Sequence, residues 1–188
     1  MAKPTAAVSP DTARVFRALQ TSDDIGALLR VHFDAERALS QVVNEAYIDA
    51  KALNLKYFGQ KLGALAAIGV LPLRLEPLVV LNKIRNDFAH RGRELIEDQD
   101  VKGLWDAINK YALGSITPDF SIIYGLTGAT ETKVLGSMSS REKLVVLASL
   151  ATFWISALPD EWRESGGPEA PDLLHTEFFP RAKKSRNL

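Results

Sequence analysis

"NKIRNDFAHRG", Asn82–Gly92, packs an arginine, an asparagine, an aspartate and a histidine into the six residues from Arg85 to His90. Leu78, Leu81, Ile84 and Phe88 fall three or four residues apart through and ahead of it, the spacing of one helix face. Basic side chains crowd the end, and Gly92 follows, as the dipole and the steric freedom of glycine favour at a helix C-terminus. The stretch therefore predicts the second half of a helix over about 73–91, with Pro77 in its first turn or at a kink. A helix apolar on one face needs others to cover it.

Working outward supplies them. Upstream, "KYFGQKLGALAAIG" predicts a helix over about 56–69. Before that, "TSDDIGALL" starts a long one, with Thr21 or Ser22 as cap and Asp23 and Asp24 at the positive end of the dipole. Its apolar positions, Ile25 to Tyr47, form a helical stripe, and it should run to about Leu53. Ser9-Pro10-Asp11 opens a shorter first helix, about 10–20. Downstream, the acid-rich "ELIEDQD" leads to a helix over about 99–112. Glycines 114, 125, 128 and 136 and Pro118 then interrupt the pattern, and "DFSIIYG" and "TKVLG" could pair as a short hairpin. "SSREKLVVLASLATFWISAL" restores helix. Ser139 and Glu142 make a capping box, and apolar residues almost all round mark this helix as the central buried one.

The expected fold is all-α: a compact bundle of five to six helices with a short irregular or hairpin insertion around 114–138. A flexible leader (1–8), one helical domain (9–160) and a mobile tail (161–188) with the basic end "RAKKSRNL" complete the expected organisation.

Composition narrows the function. The chain of 188 residues has 23 lysines and arginines against 23 aspartates and glutamates, with a pI near 6.8. That balance argues against non-specific coating of DNA or acidic membranes, so any nucleic-acid contact must be a local patch. There is no cysteine, which removes disulfides, thiolate catalysis and cysteine metal sites. The start "MAKPTAAVSPDTARV" has no apolar signal core and no uninterrupted apolar run approaches membrane-spanning length, so a cytoplasmic protein without membrane attachment is expected. His32, His90 and His175 lie far apart, with no metal-ligand spacing, so neither metal nor cofactor is expected. "GLTGAT" lacks the lysine of a phosphate-binding loop, and no serine-nucleophile elbow or helix-turn-helix reader stands out.

That leaves the opening stretch. An ordinary helix C-terminus would also collect basic residues and a glycine. Two spacings point further: Asn86 is four residues and Asp87 three residues before His90, so either side chain could orient the imidazole.

At these residues a resemblance emerges. "IRNDFAH" followed by a basic residue resembles the HEPN superfamily signature, an arginine, four to six residues, then histidine, commonly with asparagine after the arginine. Within it the chain is most similar to mannitol operon repressor-like and related bacterial proteins. "HFDAERALSQVV" resembles their long second helix, "LGALAAIGVLPLRLEPLVVLNKIRNDFAH" the pair that delivers the motif, and "SSREKLVVLASLATF" their closing helix. The likeness covers roughly 22–156. It implies a homodimer built around the motif helix, with RNA as substrate, cleavage without a metal, and an antitoxin or regulatory protein as further partner. Arg85 would stabilise charge on the phosphate and His90 would serve as general base or acid, held by Asn86 or Asp87. Lys83, Arg91 and Arg93 would contact RNA phosphates. The repressor name implies something else, a transcriptional regulator, and the superfamily also contains inactive scaffolds.

A helical wheel adds one expectation of its own. His32 and Glu36 fall near the centre of the apolar stripe of their helix. Arg85 lies about 40° from Leu81 and about 140° from His90, so Arg85 leans inward and His90 outward. Glu36 then needs a cation. Arg85 is the first choice, Arg74 and His32 the next. Such a pair would be either a structural bridge or the floor of a cleft opened at a dimer interface.

Overall fold

Leu28, Leu39, Leu78, Leu81, Leu104, Ile108, Leu144, Leu147 and Ile155 are almost wholly excluded from solvent, and they come from four different helices. Their convergence is the centre of the structure, a computed structural model that describes residues 11–47, 50–126 and 129–165. The elements, in order, are α1 (Thr12–Gln20), α2 (Asp24–Ala46), α3 (Phe58–Ala67), α4 (Pro72–Arg91), α5 (Asp98–Tyr111), β1 (Ser121–Leu126), β2 (Ala129–Val134), α6 (Ser140–Ser156) and α7 (Leu158–Ser165). The fold is an all-α bundle. β1 and β2 form the antiparallel hairpin expected in the glycine-rich insertion, in register Ser121 with Val134.

α6 packs against α1, α2, α4, α5 and α7, as its all-round apolar sequence requires. Its N-terminus carries the expected capping box: Ser139 Oγ accepts from the Glu142 N–H, and Glu142 Oε2 accepts from the Ser139 N–H at 2.9 Å. Within Ser140–Glu164 an 18-residue window is apolar enough to cross a membrane, with mean hydropathy 1.4. However, 61% of that window is buried in the bundle, which is how a core helix reads.

Local expectations fail at both ends of α2. α2 ends at Ala46, not near Leu53. Tyr47 turns extended and its hydroxyl donates to the Ala64 carbonyl at 2.6 Å, so a tertiary bond to α3 overrides local helix propensity. The cap of α2 is Asp23, whose carboxylate accepts from the N–H groups of Ile25 (3.0 Å) and Gly26 (2.8 Å); Thr21 only accepts from the Asp23 N–H. α7 (Leu158–Ser165) spans the boundary expected at residue 160. Buried Arg74 grips Glu161 through both guanidinium nitrogens at 2.6 and 2.7 Å and donates to the Trp154 carbonyl, docking α7 on α4 and α6. The leader at 1–8 and the tail beyond Ser165 lie outside the described residues.

Past Gly92, which takes the left-handed conformation (φ 63°) that ends α4, the chain is pinned twice. Arg93 holds Asp100 at the start of α5 at 2.6 and 3.1 Å. Asp24, on the first turn of α2, accepts from the Ile96 N–H at 2.8 Å and from Arg141 of α6 at 3.0 Å.

Candidate functional site

Burial of Leu78, Leu81, Ile84 and Phe88 sets the phase of α4, and every polar residue of its second half follows from that phase. Val79, Lys83 and His90 are exposed, with Asn86 and Asp87 half-buried between them, so one solvent-facing stripe carries most of the motif. Arg85 sits on the core side of that stripe, half-buried.

Arg85 borders a polar cluster where α2, α3 and α4 meet. His32 of α2 is buried, its ring stacked on Phe58 with centroids 4.6 Å apart. Its Nε2 is 3.2 Å from Asn82 Oδ1, which can only accept, so Nε2 carries the hydrogen. Burial pushes the His32 pKa down, the Asn82 bond works against that, and the charges of Arg85 and Lys61 push it further down. His32 is thus a neutral imidazole at physiological pH.

The expected ion pair of Glu36 with Arg85 does not form. Glu36 binds Lys61 of α3 instead, Nζ to Oε1 2.8 Å, while Arg85 donates to Asn86 Oδ1 at 3.2 Å. Arg74, the other expected cation, is committed to Glu161, and His32 to Asn82. Glu36 is also about one-third exposed, further out than the centre of the stripe implied. Sequence reasoning missed Lys61 and Asn82. Both had a signal: Lys61 is three residues after Phe58 and four before Leu65, on the apolar face of α3, and Asn82 is four after Leu78.

The motif residues divide. His90 is exposed in the last turn of α4, with no hydrogen bond or ion pair to any described residue. Asp87, expected to orient it, pairs with Arg91 at 3.4 Å across one helical turn, and Asn86 serves Arg85. Lys83 is exposed and unpaired among the described residues. Arg93 is largely buried, bound to Asp100 and Glu97 and stacked over Phe88 with its guanidinium 5.1 Å from the ring centre, so it ties the α4–α5 connection to α5.

Arg85 and His90 point to different sides of α4 within one chain, as the wheel implied. On an ideal helix their Cα–Cβ bonds leave α4 about 140° apart. Among the described residues no group of three or more histidines and carboxylates could hold a metal ion. No family model, curated protein or solved structure matches this chain.

Proposed function

We propose that the chain is a HEPN-type protein, similar to the mannitol operon repressor-like group, acting in the cytoplasm as a homodimer that cleaves RNA without a metal. The observation that carries this reading is His90: an exposed imidazole with no partner among the described residues, ending the same helix on which Asn86 holds Arg85. His90 takes the proton of a ribose 2′-hydroxyl, the oxygen attacks phosphorus, and the 5′-oxygen leaves with a proton taken from water, giving a cyclic phosphate and a 5′-hydroxyl end while the His90 imidazolium returns its proton to solvent. Arg85 neutralises the charge that builds on the phosphoryl oxygens. Because the two side chains diverge within one chain, the site joins Arg85 of one protomer to His90 of its partner. Lys83, on the exposed stripe, contacts a neighbouring phosphate.

The test is incubation of the purified protein with mixed RNA in EDTA. Cleavage that disappears in both His90→Ala and Arg85→Ala, with helical content unchanged, supports the assignment. Full activity in His90→Ala removes it.

A second reading has its own observation. Asp87 spends its carboxylate on Arg91, not on His90, and exposed Val79 shares the motif stripe, an arrangement suited to protein contact. On that reading the chain is a regulator or structural dimer without catalysis, and its neutral net charge favours a protein partner over direct DNA reading. A dimer that leaves RNA intact while Val79→Lys breaks it into monomers favours this alternative.

A further inference from the structure

On the side of α2 away from the motif, α1 and α2 enclose an open groove of about 510 Å³ lined by Arg14, Arg17, Gly26, Leu29, Arg30 and Phe33. Its chemistry is unusual for a plain surface. Three guanidinium groups border it. Arg17 and Arg30 have no carboxylate partner among the described residues, and Arg14, shared between Asp11 and Asp34, lies over the Phe33 ring at 4.4 Å. Between them Leu29 and Phe33 are about half exposed, and Ile25 extends the apolar strip one turn further. A complementary occupant is a short segment with several acids, several large apolar side chains and neither lysine nor arginine.

One part of this chain has that composition. Glu169–Phe179, "EAPDLLHTEFF", carries three acids (Glu169, Asp172 and Glu177) with Leu173, Leu174, Phe178 and Phe179, and neither lysine nor arginine. The first ten residues, the other terminal segment outside the described structure, contain no acid at all. Reach is sufficient. Arg163 of α7 is bound to Glu45 at 2.5 Å, which anchors that end of the chain beside the last turn of α2. From Glu45 back to Phe33 is roughly 18 Å along the helix, and the nine residues from Arg163 to Asp172 can span up to ~30 Å.

We propose that Glu169–Phe179 docks in the α1–α2 groove of its own chain, its acids on Arg14, Arg17 and Arg30 and its leucines and phenylalanines on Leu29 and Phe33. Docking covers the exposed apolar strip and neutralises the two unpaired arginines together, which neither solvent nor the leader can do. It is independent of any chemistry at Arg85 and His90.

Hydrogen exchange on the full-length protein tests it. Amides 172–179 should exchange at least about tenfold more slowly than in the free peptide of the same sequence. Arg17→Glu with Arg30→Glu, the first exposed and the second half-buried, should return them to the peptide rate while the core amides of α6 stay protected. Adding Asp172→Arg and Glu177→Arg to that variant should restore protection, which a merely damaged fold would not do. Three results overturn the proposal: peptide-like exchange in the wild-type chain, protection indifferent to the charge reversals, or protection that rises with protein concentration and so marks the tail of a second copy.

Discussion

Lys61 Nζ lies 2.8 Å from Glu36 Oε1, joining α3 to α2 at a joint where Arg85 is close enough to influence His32 but does not touch that carboxylate. Lys61 is the more deeply buried partner, so removing Glu36 orphans a largely buried ammonium. Glu36→Gln should cost about 1–2 kcal/mol, below the ~3–5 kcal/mol of a fully buried pair, because Glu36 remains partly solvated. A double-mutant cycle by urea denaturation separates the two candidate cations. Glu36 should couple to Lys61 by about 1 kcal/mol and to Arg85 by close to nothing. Strong coupling to Arg85 would reverse the placement.

The divergence of Arg85 and His90 makes a quantitative statement about a shared site. Arg85→Ala and His90→Ala should each be inactive alone. Mixed and re-equilibrated, half the dimers are hybrids and each hybrid regains one intact site of two, so activity should recover to about a quarter of wild type if mutant effects act site by site. Mixtures as dead as the single variants would place both residues in one protomer's site, and sedimentation showing a monomer at micromolar concentration would exclude sharing altogether.

Lys83 and Arg93 look alike in sequence and should behave oppositely. Arg93→Ala breaks a charge-assisted pair of hydrogen bonds to Asp100 and should cost roughly 1.5–3 kcal/mol in stability. Lys83→Ala should stay within about 0.5 kcal/mol of wild type. On RNA, Lys83→Ala should weaken binding across sequences and lower the salt slope by about 0.7. Thermal denaturation and a salt titration of RNA binding read the two effects.

Acid should weaken the fold in two windows. The folded-state pKa of His32 is lowered by burial, so the unfolded chain binds that proton first. Stability is whole above the unfolded value of 6.5 and erodes as the pH falls below it. Burial pushes Glu142 up, but hydrogen bonds from Lys133 and Ser139 outweigh it and hold the carboxyl at about 2, against 4.5 unfolded. Its contribution, on the order of 3 kcal/mol, is present above pH 4.5 and lost on the way to 2. Asp34 runs the other way: burial raises its pKa, Arg14 and Arg37 offset only part of that, and its protonation in acid favours the fold. Denaturation at pH 7.5, 5.5 and 3.5 should show the first loss missing in His32→Gln and the second missing in Glu142→Gln. A wild-type protein equally stable at 7.5 and 5.5 would remove His32 from this role.

What could be read in advance follows the range of the forces involved. Helix α4, its stop at Gly92 and the box at Ser139 and Glu142 are written in residues a turn apart, and the wheel turned Arg85 inward and His90 outward from the same short-range pattern. The early end of α2 was not legible, because it is decided by Tyr47 reaching a carbonyl on α3. Nor was the partner of Glu36. A wheel states which way one side chain points, not which neighbouring helix stands there, and Lys61 hid among apolar residues on α3. His90 lacks the orienting carboxylate because Asp87 has a closer competitor in Arg91, a choice that three-residue spacing leaves open.

The carboxylate of Asp24 joins segments 72 and 117 residues away along the chain. Contacts of that separation close large loops, so they form only after the helices they connect have found each other. Asp24 is therefore expected to close as a latch after those helices dock. Asp24→Asn should leave the refolding limb of a chevron where it is and raise the unfolding limb about tenfold, some 1.4 kcal/mol confined to the way out. The α4–α5 connection behind the motif would then owe its persistence to a slow escape, and its lifetime, not its depth of burial, would be what a single carboxylate controls.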